Sequence, residues 1–117
     1  MFEFFTIEQK PLPNNHAVML RLKGSLDSHT YEELEETFAS LFTGHQSRIV
    51  VDLSALEFIS SVGAGVFIGA ISDARKQNGI VVLFNPSEAV NLTFNLIGLI
   101  DILNVVADEE TALSLLG

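Results

Sequence analysis

The chain has 117 residues, no cysteine, and 15 acidic against 6 basic side chains, a formal net charge of −9. Without cysteine there are no disulfides, thiolate metal sites or cysteine nucleophiles, which suits a reducing compartment. The acidic balance makes nucleic acid and anionic lipid poor partners and basic protein surfaces better ones.

Forty-eight per cent of the residues are apolar. That is enough for one core without staples, so a single domain over residues 1–117 is expected. The start, MFEFFTIEQK, carries Glu3 and no basic head before an apolar segment, unlike a secretory signal. The longest small and apolar run, Val62 to Ile71, falls far short of the ~20 residues a spanning helix needs. A cytoplasmic protein without membrane insertion is expected.

Phe2 to Gln9 mixes aromatic and polar residues and reads as a strand, and PLPNN follows as a turn. AVMLRLKG alternates, with Val18, Leu20 and Leu22 on one side and Met19, Arg21 and Lys23 on the other. It predicts a half-buried strand paired antiparallel with the first, closed by Gly24. Tyr31, Leu34, Phe38 and Leu41 recur at helical spacing, with Glu32, Glu33, Glu35 and Glu36 opposite. Thr30 and Glu33 fit a capping box, with Asp27 or Ser28 as alternative caps. Gly44 stops this helix.

RIVVDLS is the continuous β-branched run of a central strand, expected to end near Leu53. A helix from about Val62 to Gln77 follows, with Val66, Ala70 and Ala74 on one stripe and Phe67 and Ile71 on the next. Asn78–Gly79 ends it, with Gly79 as the left-handed cap. IVVLF is a second central strand. In NPSEAVNLTFNLIGL, Asn85 is the expected cap and Pro86 the first helical residue, with Val90, Phe94 and Ile97 facing inward. ILNVVA is a short last strand, and DEETALSLLG a short last helix with acids at its start. Strands alternating with helices after an opening hairpin predict an α/β fold: a mixed, mostly parallel sheet of about five strands with about four helices.

The stretch FISSVGAGVFIGA, Phe58 to Ala70, sets two serines and three glycines at the head of an apolar helix. Several chemistries fail on spacing. His16, His29 and His45 are scattered, with no i, i+4 pair to hold a metal. Gly63, Gly65 and Gly69 spell G-x-G-x-x-x-G, one residue too long for the dinucleotide fingerprint, and the first lies ten residues beyond Leu53. There is no Walker lysine. The nucleophile elbow G-x-S-x-G is absent, and no histidine is placed as a base, so an enzyme is not expected. The simplest role for Ser60 or Ser61 is an N-cap on orphan backbone N–H groups.

Two segments together carry a resemblance. LKGSLDSHT, followed by IVVDLSALEFISSVGAGVFIGA, resembles the sulphate-transporter and anti-sigma-factor-antagonist family, the STAS domain. Gly24, Leu26 and Asp27 match the family's G-x-L-D. Asp52, Leu53, Ser54, Phe58, Ser61, Gly63 and Gly65 match D-L-S-x-x-x-F-[IM]-D-S-[ST]-G-L-G. The tail GLIDILNVVADEETALSLL also resembles the family's ending, so the likeness covers nearly the whole chain.

The resemblance implies an anti-sigma factor antagonist that works by protein–protein binding. Its partners would be an anti-sigma factor that is also a serine kinase, and a protein phosphatase; no cofactor is implied. The phosphoacceptor serine falls on Ser61, with Ser60 as the alternative. The partner surface falls on Asp27, Ser60, Ser61, Val62, Gly63 and Ala64, with the glycines holding it open to a kinase. The sequence departs from the family pattern at Ser60 in place of Asp, Val62 in place of Ser or Thr, and Ala64 in place of Leu. The same resemblance admits a second reading: an unphosphorylated module that binds a small ligand or nucleotide, or serves as a scaffold or transporter subunit.

Overall fold

The computed structural model describes residues 4–116. The expected first strand began at Phe2 and the expected last helix ran to Gly117; Phe2, Glu3 and Gly117 lie outside the described residues.

Strands β1 (Phe5–Leu12) and β2 (Ala17–Leu26) form an antiparallel hairpin across a 3-10 turn at Pro13–Asn15. Helix α1 (Tyr31–Thr43), strand β3 (Arg48–Ile59), helix α2 (Ser61–Lys76) and strand β4 (Ile80–Phe84) follow, then helix α3 (Glu88–Leu96), strand β5 (Val105–Val106) and helix α4 (Glu109–Leu115). The sheet order is β1-β2-β3-β4-β5, with every pair after the hairpin parallel. This is the expected mixed, mostly parallel α/β sheet.

The monotonic strand order sends successive crossovers to the same face. Accordingly Leu34 and Phe38 of α1, Phe67 and Ile71 of α2, and Val90 and Phe94 of α3 share one core with Leu20, Leu22, Ile49 and Val51. The other face is covered by α4, whose Ala112, with Leu116 just beyond it, packs on Met19, Val50, Val82 and Phe84. The central strands are apolar on both sides because both sides are roofed.

Several local expectations need correction. Strand β3 runs to Ile59 rather than ending near Leu53. β4 pairs with it only as far as Asp52, but β2 continues to Leu26, opposite Ile59, after register shifts between Arg21 and Lys23 and between Gly24 and Ser25. Those irregularities break the period-2 pattern that would have marked the extension. At the start of α1, Thr30 makes no side-chain cap bond, so the capping box does not form. Its hydroxyl instead donates to the Ser25 carbonyl at 2.7 Å and accepts from the Asp27 amide at 3.0 Å.

After α2 the left-handed residue is Asn78 (φ 60°), not Gly79. Gly79 is a glycine because a Cβ there would lie 2.1 Å from the Ser47 carbonyl oxygen. Helix α3 is capped by Ser87 rather than Asn85, which is left-handed at φ 54°. Ile97 stands exposed just past the helix instead of facing inward.

Gly24 is fixed twice over. Its φ is +100°, and a Cβ would stand 2.1 Å from the Phe4 carbonyl oxygen. Gly24→Ala should therefore destabilise the fold by roughly 2 kcal/mol or more, from left-handed strain plus the backbone clash, read as a lower urea midpoint at unchanged slope. At the other end of the chain, Asp108 caps α4 by accepting from the Thr111 amide at 2.8 Å. That bond holds its carboxyl below the usual range. A depressed folded-state value gives stability that is present above the unfolded value and lost as pH falls through the folded one. The protection factor of the Thr111 amide, its slowing relative to the intrinsic exchange rate, should therefore fall in acid, and Asp108→Asn should remove most of that pH dependence.

Candidate functional site

The last backbone pairing between β2 and β3 builds the site. Leu26 lies opposite Ile59 in the parallel ladder, and the Ser60 amide donates to the Leu26 carbonyl at 3.0 Å. Two chain exits thus meet at the C-terminal edge of the sheet: Asp27 leading into α1, and Ser60–Ser61 leading into α2. Neighbouring parallel strands deliver their following loops to this edge. Asp27 and Ser61 therefore lie on the same rim.

Asp27 is 7% exposed. Its Oδ1 accepts from the His29 amide at 2.8 Å and lies 3.3 Å from the Thr30 hydroxyl. This Asx turn fixes the exit from β2 into α1. The family resemblance implies Asp27 among the partner-contacting residues; the structure places its carboxylate inside the turn.

The two serines have separate positions. Ser60 is the N-cap of α2 in extended conformation, and its Oγ accepts from the Gly63 amide at 3.2 Å. Ser61 is the first helical residue, and its side chain is exposed with no hydrogen bond to another described residue. The helix has no acid in its first turn. The amides of Ser61 and Val62 precede the first intrahelical bonds and have no hydrogen-bond partner among the described residues.

The small residues do two opposite things. Gly63 and Ala64 are buried. A Cβ on Gly63 would stand 2.7 Å from the Leu26 carbonyl oxygen and 2.8 Å from the Leu26 side chain. The expectation that this glycine holds the surface open is therefore corrected: it lets the helix settle onto β2. With β3 ending at Ile59, Gly63 lies four residues beyond the strand and not in the turn directly after it, where the dinucleotide fingerprint needs its first glycine. The first glycine is inside the helix and is spent on packing. Gly65 and Gly69, by contrast, are exposed, and a Cβ on either would meet nothing within 4 Å.

Val62 is 46% exposed and Phe58 50%, flanking the two serines in the chain. Apolar side chains this exposed beside a polar rim suit contact with a protein surface. The sequence-predicted set is thus brought together as backbone, but only Ser61, Val62 and part of Ser60 present side chains outward. Phe58 was legible as a motif position, not as an exposed contact, because the true end of β3 was hidden.

Asp52 of the D-L-S segment lies elsewhere, on the face opposite α1–α3. It is 4% exposed, accepts from the Ser54 amide at 2.9 Å, and pairs with Arg21 Nε at 3.0 Å. It ties β3 to β2 at the register shift. Among the described residues no group of three or more His, Cys, Asp or Glu side chains could hold a metal, and no helix is long and apolar enough to cross a membrane.

A model of the STAS domain matches residues 9–112. The chain is 31% identical over 98 residues to an anti-sigma-B factor antagonist of Bacillus subtilis, covering 83% of this chain and 88% of that one. Its fold is similar to that of the anti-sigma factor antagonist SpoIIAA in its unphosphorylated form, with a TM-score of 0.75 and 25% identity over 91% of this chain and 90% of that one. It is also similar to the Bacillus cell fate determinant SpoIIAA in the phosphorylated form, with a TM-score of 0.72 and 24% identity over 96% and 100%. With the G-x-L-D turn, the serine-headed helix and the sheet order in place, the chain belongs to the STAS domain family.

Proposed function

We propose that this protein is an anti-sigma factor antagonist: it binds an anti-sigma factor through the rim at the head of α2, and phosphorylation of Ser61 by that partner switches binding off. The observation that carries this reading is the division between the serines. Ser60 is committed to the cap, whereas Ser61 presents an uncommitted hydroxyl to solvent on a rigid helix end. The names of the relatives support the partner class. A phosphatase is the matching reset, and binding rather than catalysis is the activity.

The chain departs from the family pattern at Ser60, where Asp is usual, and this does not disturb the geometry. Asp and Ser are both good N-caps, so Ser60 keeps the capping role. A phosphate on Ser61 adds about −1.5 to −2 charges. The free amides and positive end of α2 accommodate it. Its effect therefore falls on the docking surface and not on the fold. An anion between Phe58 and Val62 must shed water when a partner docks, at a cost of several kcal/mol when unpaired.

Incubation with the anti-sigma kinase and ATP should place one phosphate on Ser61, read by mass spectrometry. Phosphate on Ser60 would move the switch by one residue, and none on either serine would overturn it. Ser61→Asp should weaken anti-sigma binding tenfold or more at unchanged melting temperature, and Ser61→Ala should bind but resist phosphorylation. Ser60→Ala, which loses the cap, should instead cost about 1 kcal/mol of stability.

The acidic face of α1 acts at longer range. Glu32 and Glu36 are exposed, and rim charges act mainly on association rate and its salt dependence. Changing both to Gln should slow association a few-fold at low salt and leave dissociation unchanged in surface plasmon resonance. Loss of binding at physiological salt would make the acidic face itself the interface.

A further inference from the structure

Helices α1 and α2 do not close against each other at the surface. A groove of about 170 Å³ runs between them, floored by Phe38, Phe42, Val66 and Ala70, with Gly65 and Gly69 along one wall. Phe38 stacks on Phe42 at 5.9 Å and meets Phe67 edge-on at 6.3 Å, so the floor is fixed. The groove's openness has a specific origin. Gly65 and Gly69 lie inside α2, where glycine lowers helix stability relative to alanine. Neither has a left-handed φ, and neither is crowded, since a Cβ would meet nothing within 4 Å. Nothing within the chain requires them, in contrast to Gly63 and Gly79.

Ser61, Gly65, Gly69 and Asp73 stand at i, i+4 intervals, one above the other on α2. The groove begins at Gly65, one turn beyond Ser61, and runs about 12 Å along α2 to Asp73. Two acids line it, Glu35 from α1 and Asp73 from α2. Asp73 has a loose, exposed partner in Lys76 at 3.6 Å, and such surface pairs are easily exchanged.

We infer that this groove seats a helix of the anti-sigma partner, with an apolar side chain inserted over Phe38 and Val66 between basic residues that meet Glu35 and Asp73. The inference rests on the proposed function for the identity of the partner, and extends its surface along α2 as far as Asp73. Bare glycines let a second helix backbone approach closely, which larger side chains would forbid. The acidic rims on a chain of net charge −9 select a basic occupant and disfavour a second copy of the chain.

The test compares the full chain with Gly69→Ala, Gly69→Gln and Ser61→Asp, against the purified anti-sigma factor of the same organism, by titration calorimetry and thermal melting. Gly69→Ala should raise the melting temperature by roughly 3–6 °C, as an uncrowded helix glycine should. Gly69→Gln should melt no lower than the original protein yet bind at least tenfold more weakly, because its side chain fills the groove. Gly69→Gln binding as tightly as the original, while Ser61→Asp binds weakly, would overturn the groove and leave the proposed function standing. No binding by the original protein would overturn both. Self-association of the original protein that Gly69→Gln abolishes would assign the groove to a second copy and overturn the inference.

Discussion

The Leu26 carbonyl is the constraint on which the rim depends. It accepts the Ser60 amide at 3.0 Å, and it lies 2.7 Å from where a Cβ on Gly63 would be. The first contact ends β3 at a defined residue, and the second brings the first turn of α2 down onto β2. Together they fix the direction in which α2 leaves the sheet. The residue after Leu26 is Asp27, so the same peptide also starts the turn into α1. One backbone junction therefore sets the spacing of two helix entrances, and a residue larger than glycine at position 63 would push them apart. Ser61 then stands on a scaffold whose geometry does not depend on its own side chain.

Much of this architecture was legible because local and tertiary signals agreed. The inward face of AVMLRLKG (Val18, Leu20 and Leu22), the apolar run in RIVVDL and the 3.6-residue stripe of Leu34, Phe38 and Leu41 record burial that the structure reproduces, whereas Met19, expected on the other side of a half-buried strand, is buried too, under α4. The failures lie where tertiary contacts override a local rule. Two register shifts hid the last part of β3, Ser54 to Ile59. The capping box at Thr30 lost to the Asp27 turn, because the Ser25 carbonyl offered Thr30 a better partner. Ser87 displaced Asn85 as the cap of α3 because its hydroxyl also donates to the Leu56 carbonyl at 2.9 Å, a bond to a strand that no local window contains.

The site was legible as a motif but not as a surface. A sequence motif marks which residues sit together, and does not say which of them face outward. Asp27, Gly63 and Ala64 are motif positions whose work is internal: closing a turn, admitting a carbonyl, filling the space under a helix. Ser61 and Val62 are exposed because the first turn of a helix resting on a sheet edge must turn part of its circumference to solvent. The family pattern therefore mixes fold requirements with contact requirements, and only the burial of each side chain separates them.

The glycines of α2 carry that separation furthest. Gly63 is dictated by a neighbour 2.7 Å from where its Cβ would be, whereas a Cβ on Gly65 or Gly69 would meet nothing within 4 Å. Both kinds lower the helix's own stability. The first kind is repaid within the chain, by the packing of α2 onto Leu26 and Ile59. The second kind is not, and α2 carries the deficit because its other face is heavily buried: Val66, Phe67, Ala70, Ile71 and Ala74 hold it to the sheet and to α1. A helix so anchored keeps its place with an uneven outer surface. The apolar side of α2 thus both anchors the helix and, through Val66 and Ala70, floors the groove that Gly65 and Gly69 leave open beside it.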